Sequence, residues 1–368
     1  MGDEDEAALQ NVQNKLSNVL RFSKRKGGDQ LCRDDFDAGP ASFDVIEPGL
    51  LLGNLTTALD LETLDLHGVN NILTVDSVPL PRSITDIQHI KTKFIQVTDN
   101  EKEALILHFD DGVNFISQAM ESGVVLVHCY YGVSRSATLV LAYIMKKYGI
   151  DFDEAMERIL EKRRFVRPNP GFEAQLRLYA EMGWQIDPKH TKYKYFRLSI
   201  ASDKVRKAKI LPQDCLDVVK PDPFLTTLHP EPLVYRCRHC RRTIASASNV
   251  FPHQIATDSI TWQAKRVNSV KRKASSDPLV LQSAADSEIG GKTCSATLFV
   301  EPLAWMLPTI SHQPQGKLLC PKCKVKLGAY SWLSGCQCPC GVKQAPAFYL
   351  VPSKLDWCTM VQNLQMTV

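Results

Sequence analysis

The chain has 368 residues and a mass of 41.2 kDa, about twice the size of a typical domain, so its length predicts two domains. A hydrophobic fraction of 44% with 23% charged residues is typical of a globular protein and argues against extended disorder. The longest apolar stretches are shorter than the roughly 20 residues of a membrane span, and no apolar leader opens the sequence, so we expect neither a membrane protein nor a secreted one.

Charge and cysteine content divide the chain into two unlike parts. Residues 201–368 hold 21 Lys and Arg against 11 Asp and Glu, whereas residues 1–200 hold 23 against 29. Ten of the 12 cysteines also lie after residue 200. A basic surface suits polyanionic partners, although it can also serve solubility alone. Clustered cysteine pairs without a secretion signal are typical of metal sites rather than of disulfides.

The first part alternates strands and helices. A polar, flexible tail over residues 1–42 precedes it. The hydrophobic pattern then predicts strands over residues 71–75, 94–97 and 124–127, and helices over residues 58–67, 105–120, 134–147, 153–163 and 171–181. The third strand is a short β-branched run of the kind that parallel sheets bury. This alternation predicts an α/β domain over residues 43–187, with a central sheet flanked by helices.

The pattern weakens after residue 187. We interpret residues 188–234 as a connector, in which residues 193–200 form a strand or an extended docking segment. Residues 235–352 are predicted to form a small β-rich metal-binding domain with strands near residues 297–300 and 347–351. Within it, residues 265–291 are basic and rich in Ser and Ala, which predicts a mobile loop with a possible nuclear-import signal. Residues 353–368 are expected to form a C-terminal tail.

The strand over residues 124–127 leads into a Cys-x5-Arg segment that a helix follows. Loop N–H groups and the helix dipole at such a strand–helix turn form a site for phosphate. Glycine in the loop allows it to close around the anion, and the arginine fork can bond two phosphate oxygens. The predicted phosphate-binding loop consists of Cys129, Tyr130, Tyr131, Gly132, Val133, Ser134 and Arg135.

The same field favours the thiolate form of Cys129, which is the nucleophilic form of cysteine. His128 would order the backbone of the cysteine rather than act as a base. The hydroxyl of Ser134 or Ser136 would bond the sulfur and make it a better leaving group. Asp99, in the loop after residues 94–97, is the candidate proton donor for the leaving oxygen, and a solvated loop acid is the alternative interpretation.

The motif His-Cys-x2-Gly-x-Ser-Arg-Ser resembles the signature of the dual-specificity class of protein tyrosine phosphatases. The resemblance covers residues 43 to about 187 and includes the Pro-Asn-x-Gly-Phe segment at residues 168–172. It implies that Cys129 forms a phosphocysteine, that Arg135 binds the phosphoryl group, and that Asp99 acts as general acid and then general base. It also implies that catalysis needs no metal and that a shallow cleft accepts phospho-Ser, phospho-Thr and phospho-Tyr.

Two Cys-x2-Cys pairs and one Cys-x-Cys pair lie in the second part. A Cys-x2-Cys pair places two thiolates on one tight turn, at the spacing that tetrahedral zinc requires. Eight ligands would close two structural zinc sites. We assign one site to Cys320, Cys323, Cys338 and Cys340, and the other to Cys237, Cys240, His253 and Cys294.

Alternatives to this ligand set remain open from the spacing alone. Cys336 could replace Cys338, and His239 could replace His253. The two sites could also be cross-braced, which would exchange ligands between them.

A phosphatase domain followed by these pairs resembles the dual-specificity phosphatase 12 family, which includes a yeast homologue. The matching segments lie at residues 235–242, 299–306, 319–328 and 338–348. The resemblance implies a role in assembly of the large (60S) ribosomal subunit, with phosphatase activity dispensable for it. The expected partners are phosphoprotein substrates and, through the basic zinc domain, pre-60S particles with their ribosomal RNA and stalk-region proteins. We expect a monomer in the nucleus and cytoplasm.

Overall fold

The computed structural model describes residues 38–225, 231–254 and 293–359. The chain divides into two compact units, with the boundary along the chain between Ile186 and Asp187. Most of the predicted N-terminal tail, the predicted loop at residues 265–291 and the chain after residue 359 lie outside the described residues. No helix in the described ranges is long and apolar enough to cross a membrane.

A five-stranded sheet forms the centre of the first unit. Its strands are β1 (Phe43–Glu47), β2 (Leu50–Gly53), β3 (Val69–Asp76), β4 (Lys91–Gln96) and β5 (Val124–His128), in the order β1-β2-β5-β3-β4. β1 is antiparallel to β2, and the other pairs are parallel. Residues 125–127 of the central strand β5 are fully buried, as the β-branched run predicts.

Seven helices of the described residues belong to the first unit. They are α1 (Leu55–Leu59), α2 (Leu61–Leu66), α3 (Arg82–Thr85), α4 (Phe109–Ser122), α5 (Arg135–Tyr148), α6 (Phe152–Leu160) and α7 (Pro170–Glu181). The single helix predicted over residues 58–67 is two helices, because the Asp60 side chain accepts from Thr63 N–H and starts a new helix there. A 3₁₀ turn over Leu105–His108 precedes α4.

The second unit consists mainly of short antiparallel strands. The strands are β6 (Leu233–Cys237), β7 (Thr243–Ser246), β8 (Val250–Phe251), β9 (Leu298–Val300), β10 (Gln315–Leu319), β11 (Lys326–Ser331), β12 (Cys336–Gln337), β13 (Lys343–Gln344), β14 (Ala347–Leu350) and β15 (Leu355–Thr359). One sheet has the order β10-β11-β14-β9-β8, a second has the order β15-β6-β7, and β12 pairs with β13.

The structure corrects the prediction for residues 193–200, which are not a strand. They belong to helix α8 (Thr191–Ala208), and its buried side chains Leu198, Ala201 and Val205 lie in the core of the second unit. The aromatic run at residues 193–196 favours a strand, but the spacing of Ala201 and Val205 is that of one helix face. Much of the predicted connector is therefore part of the second unit.

The predicted C-terminal tail also contributes to the fold. Residues 355–359 form β15, which pairs with β6 in antiparallel register, Leu355 opposite Cys237. This pairing holds the strand that ends at the first cysteine of the Cys237 pair. A short helix, α9 (Leu307–Ile310), and four 3₁₀ turns complete the described elements of this unit.

Candidate functional site

The phosphate loop lies where the central strand ends and helix α5 begins. β5 ends at His128, Cys129 is almost fully buried, and α5 starts at Arg135. Gly132 has a φ of 68°, and a Cβ there would lie 2.5 Å from the carbonyl oxygen of Gly53. The loop therefore folds back onto the C-terminal end of β2, and only glycine allows so close an approach.

Two hydrogen bonds reach the sulfur of Cys129. The Gly132 N–H donates over 3.2 Å and the Ser136 hydroxyl over 3.1 Å. Of the two serines that the sequence leaves open, Ser136 is the one that bonds the sulfur. His128 lies behind the loop, with Nε2 2.8 Å from Thr74 Oγ1 and Nδ1 3.4 Å from the Cys129 carbonyl oxygen.

The Arg135 guanidinium is buried beside two carboxylates. Its Nη1 donates to Asp76 Oδ1 over 2.6 Å, and its Nε lies 3.9 Å from Asp99 Oδ2. Burial by itself lowers the pKa of Arg135, but the negative charges of Cys129, Asp76 and Asp99 raise it overall. The Nε has no hydrogen-bond partner in the described part of the chain, which leaves a buried donor for a phosphate oxygen.

Asp99 is held over the loop by two side chains. Ser134 Oγ and Asn169 Nδ2 each donate to Asp99 Oδ1 over 2.8 Å. The Asn169 N–H in turn donates to Ser134 Oγ over 3.2 Å, so the three residues form one network. The Asp99 side chain is still 39% exposed, which leaves it access to a leaving group.

The remaining loop residues fasten the loop through backbone bonds. The Tyr130 carbonyl accepts from Leu55 N–H over 3.1 Å, and the Val133 carbonyl accepts from Arg167 N–H over 2.9 Å. The rings of Tyr130 and Tyr131 meet edge to face, with centroids 4.8 Å apart. Both tyrosines are half-buried beside the phosphate site.

A fully buried arginine, which belongs to no recognisable sequence motif, also fastens the loop. Arg163 Nε donates to the Gly132 carbonyl over 3.0 Å, and Nη1 donates to Asp44 Oδ2 over 2.6 Å. Burial lowers the pKa of Arg163, although Asp44 and Cys129 act in the opposite direction. The Gly132 carbonyl and the Val133 N–H belong to one trans peptide bond and point to opposite sides of it. By holding the carbonyl, Arg163 therefore fixes the orientation of the Val133 N–H.

Asp76 and Asn169 are two further site residues that sequence reasoning missed. Asp76 is the last residue of β3, and parallel strands end at the same edge of a sheet, so its position beside β5 was a usable signal. Asn169 lies in the matched segment at residues 168–172 and caps α7 by accepting from Phe172 N–H. Its second role, toward Asp99, depends on a contact 70 residues away in sequence.

The second unit contains two groups of metal-ligand side chains. Within each group the potential ligand atoms lie within 4.8 Å of one another. One group is Cys237, Cys240, Cys320 and Cys323, and the other is His253, Cys294, Cys338 and Cys340. All eight predicted ligands are present, whereas the alternatives Cys336 and His239 belong to neither group.

The predicted pairing of these ligands is wrong. The Cys320 knuckle, predicted to share a site with the Cys338 pair, lies with the Cys237 knuckle instead, which is the cross-braced alternative that the spacing leaves open. The six residues of β11 explain the difference, because they carry the chain about 20 Å away from the Cys320 knuckle before the Cys338 turn. Ligands that are close in sequence therefore do not share a site here, and the Cys237 and Cys320 knuckles, about 80 residues apart, do.

The donor geometry of both groups fits tetrahedral zinc. Zn–S bonds of about 2.3 Å at tetrahedral angles put sulfurs about 3.8 Å apart. The Sγ atoms of Cys237 and Cys323 are 3.7 Å apart, those of Cys240 and Cys320 are 3.5 Å apart, and those of Cys294 and Cys338 are 3.7 Å apart. The His253 Nε2 lies 3.2 Å from Cys338 Sγ.

Hydrogen bonds prepare some of these thiols for metal binding. Burial opposes ionisation of Cys240 and Cys338. Bonds from the Arg242 N–H and neighbouring thiols nevertheless lower the pKa of Cys240 to about 7. Bonds from Thr297, the Cys340 N–H and His253 lower that of Cys338 to about 6. Thiolate is the form that binds metal, so these groups could hold two metal ions.

Comparisons with known proteins agree with the description of the first unit. The family described as "Dual specificity phosphatase, catalytic domain" matches residues 50–182. A Drosophila melanogaster protein, "Dual specificity protein phosphatase MPK-4", is 45% identical and covers 92% of this chain and 93% of its own length. The chain is therefore a dual-specificity protein phosphatase.

Two further relatives extend over both units of the enzyme. Mouse "Dual specificity protein phosphatase 12" is 34% identical over 87% of this chain and 89% of its own length. "Tyrosine-protein phosphatase YVH1" of Saccharomyces cerevisiae is 27% identical over 84% of this chain and 89% of its own length. The similarity thus extends beyond the catalytic unit, and the chain belongs to the dual-specificity phosphatase 12 family.

Proposed function

We propose that this phosphatase hydrolyses phospho-Tyr, phospho-Ser and phospho-Thr through a phosphocysteine, and that its second unit acts in assembly of the large ribosomal subunit. The observation that carries the catalytic part is the convergence of a sulfur with two hydrogen-bond donors, a buried arginine with a free Nε and a tethered carboxyl group. Each of these has one role in a two-step transfer.

In the first step the Cys129 thiolate attacks phosphorus and the bond to the substrate oxygen breaks. Asp99 donates its proton to that leaving oxygen, and Ser134 and Asn169 hold the carboxyl group in reach. Arg135 and the loop N–H groups stabilise the equatorial oxygens of the transferring phosphoryl group. The product is a phosphocysteine and a free hydroxyl group on the substrate.

In the second step water attacks the phosphocysteine and the sulfur leaves. Asp99, now a carboxylate, takes a proton from the water. Negative charge returns to the sulfur, where the Ser136 hydroxyl and the Gly132 N–H stabilise it. No step needs a metal ion, because arginine and backbone dipoles supply the positive field.

The two metal groups are proposed to hold two structural zinc ions per chain. Each offers four protein ligands, which leaves no open position for a substrate. One ion would join the turn after β6 to the turn after β10, and the other would join His253 and Cys294 to the β12–β13 turn. The ions thus stabilise the second unit and supply no catalytic chemistry.

The basic second unit supports the proposed binding to pre-60S particles, their ribosomal RNA and stalk-region proteins. Residues 302–355 contain six lysines and no Asp or Glu. Lys317, Lys322, Lys324 and Lys326 are exposed around the Cys320 knuckle. A surface of one sign attracts a polyanion such as ribosomal RNA. Work on such particles would place the enzyme in both nucleus and cytoplasm.

Sedimentation of cell extract through a sucrose gradient tests this proposal. The variants are wild type, Cys129→Ser, and the double variant Cys237→Ser with Cys240→Ser. We expect wild type and Cys129→Ser to travel with large-subunit precursors and the double variant to stay at the top. Absence of wild type from ribosomal fractions would refute the assembly role. If the Cys129→Ser variant were absent from the ribosomal fractions while wild type was present, the alternative in which phosphatase activity is dispensable would be contradicted.

A further inference from the structure

A cavity of about 400 Å³ lies against strands β10, β11 and β14, and none of the eight potential metal ligands lines it. Small side chains form its floor, because Ala329 and Ser331 of β11 leave depth there. Tyr349 of β14 and the turn around Gly335 form its walls. Tyr330 and Cys336 also line the cavity, and Tyr330 is buried in the core of the second unit.

Strand register places this cavity beside the lysine surface. Lys317 of β10 lies opposite Ala329, and Ala329 lies opposite Tyr349, so the three side chains share one face. Lys326 lies opposite Leu319, at the far end of β10 from Gln315. Lys317 thus borders a cavity whose lining contains no charged side chain, and Lys326 lies further along the same pair of strands.

The lining favours an uncharged, planar and polar group. The half-exposed Tyr349 ring offers a stacking surface. The exposed Gln315 carboxamide offers both a donor and an acceptor, and Ser334 adds a hydroxyl that already bonds Ser331 over 2.8 Å. A phosphate group inside the cavity would meet no cation, whereas one outside it would meet lysines.

We propose that this cavity binds one unpaired base of an RNA strand, with the neighbouring phosphates on Lys317 and Lys326. An unpaired nucleobase is the planar, polar and uncharged group that is attached to a polyanion. A phosphopeptide would need cations within the cavity, and a lipid surface would need more exposed apolar side chains than Leu319 offers. The inference rests on the proposed pre-ribosome role and names the contact.

RNA binding to the zinc-loaded full chain tests the proposal. The probes are a fluorescein-labelled twelve-nucleotide single-stranded RNA and the same backbone with abasic sites, measured by fluorescence anisotropy. We expect wild type to bind the first about tenfold more tightly, because stacking contributes on the order of 1–3 kcal/mol per base. Tyr349→Leu should lower affinity for the first probe about tenfold and leave affinity for the abasic probe unchanged.

Charge variants separate the phosphate contacts from the base contact. Lys317→Gln should weaken both probes equally and reduce the slope of log affinity against log salt by about 0.7. Trp357→Leu is the matched aromatic control, since Trp357 is 72% exposed and does not line the cavity. It should change neither probe. Zinc content and near-ultraviolet circular dichroism verify that each variant is folded.

Three results would overturn the base site. They are equal affinity of wild type for both probes, a base preference that survives Tyr349→Leu, and Tyr349-dependent binding to phosphatidylserine vesicles or a phosphopeptide in place of RNA. Sedimentation reports on the assembly role separately. Base-dependent RNA binding without sedimentation would support the site and refute the assembly role, and the reverse combination would refute the site alone.

Discussion

The Ser136 hydroxyl should act mainly on the second catalytic step. It is fully buried and donates to Cys129 Sγ over 3.1 Å, and the Gly132 N–H also donates to that sulfur. Sulfur regains negative charge as the phosphocysteine breaks down, so loss of a bond to a charged group costs about 1.5–3 kcal/mol there. Ser136→Ala should therefore slow phosphocysteine hydrolysis by about 10- to 150-fold.

Stopped-flow release of p-nitrophenol from its phosphate ester measures this effect. In Ser136→Ala the first step should outrun the second, which produces a burst close to one equivalent per enzyme before slow turnover. The burst reports the amount of trapped phosphocysteine, which acid quench and mass spectrometry of the Cys129 peptide can verify.

Ser134→Ala is the matched control, because its hydroxyl bonds Asp99 Oδ1 rather than the sulfur. This variant should lose rate in proton donation and show no burst. A burst in Ser134→Ala, or turnover of Ser136→Ala that falls without any burst, would refute the reasoning from these two hydrogen bonds.

The remaining predictions concern the nucleophile, the acid, the buried arginine and the metal groups. Cys129→Ser should abolish turnover with thermal unfolding unchanged, and activity near that of wild type would exclude Cys129 as the nucleophile. Asp99→Asn should lower kcat for alkyl phosphates by about a hundredfold or more while p-nitrophenyl phosphate loses less, and equal losses would argue against proton donation. Arg163→Met should lower the free energy of unfolding by about 3 kcal/mol, because it leaves the Asp44 carboxylate and a buried carbonyl without their partner, and Arg163→Lys should recover part of it in urea titration. A value unchanged from wild type would show that this contact is dispensable. Metal analysis should give about two zinc ions per chain, and Cys320→Ser and Cys338→Ser should each lose about one. If the Cys320→Ser variant lost both ions, the two groups would not be independent.

The sequence determined the catalytic loop almost completely. Cys129, Gly132, Arg135 and Ser136 lie within eight residues of one another, and a strand–loop–helix segment of that length has one geometry that can close around phosphate. The eight potential metal ligands were equally visible, because Cys-x2-Cys spacing is a local requirement of the turn.

Only the tertiary structure decided which of these local pieces meet. The pairing of the Cys237 and Cys320 knuckles depends on β11 carrying the chain away, which spacing does not encode. Likewise Ser134 bonds Asp99, Asn169 joins them, and Arg163 reaches back to Gly132. Each is a contact over more than 30 residues. Local patterns fix what a segment can bind, whereas the packing of distant elements fixes which groups share a site.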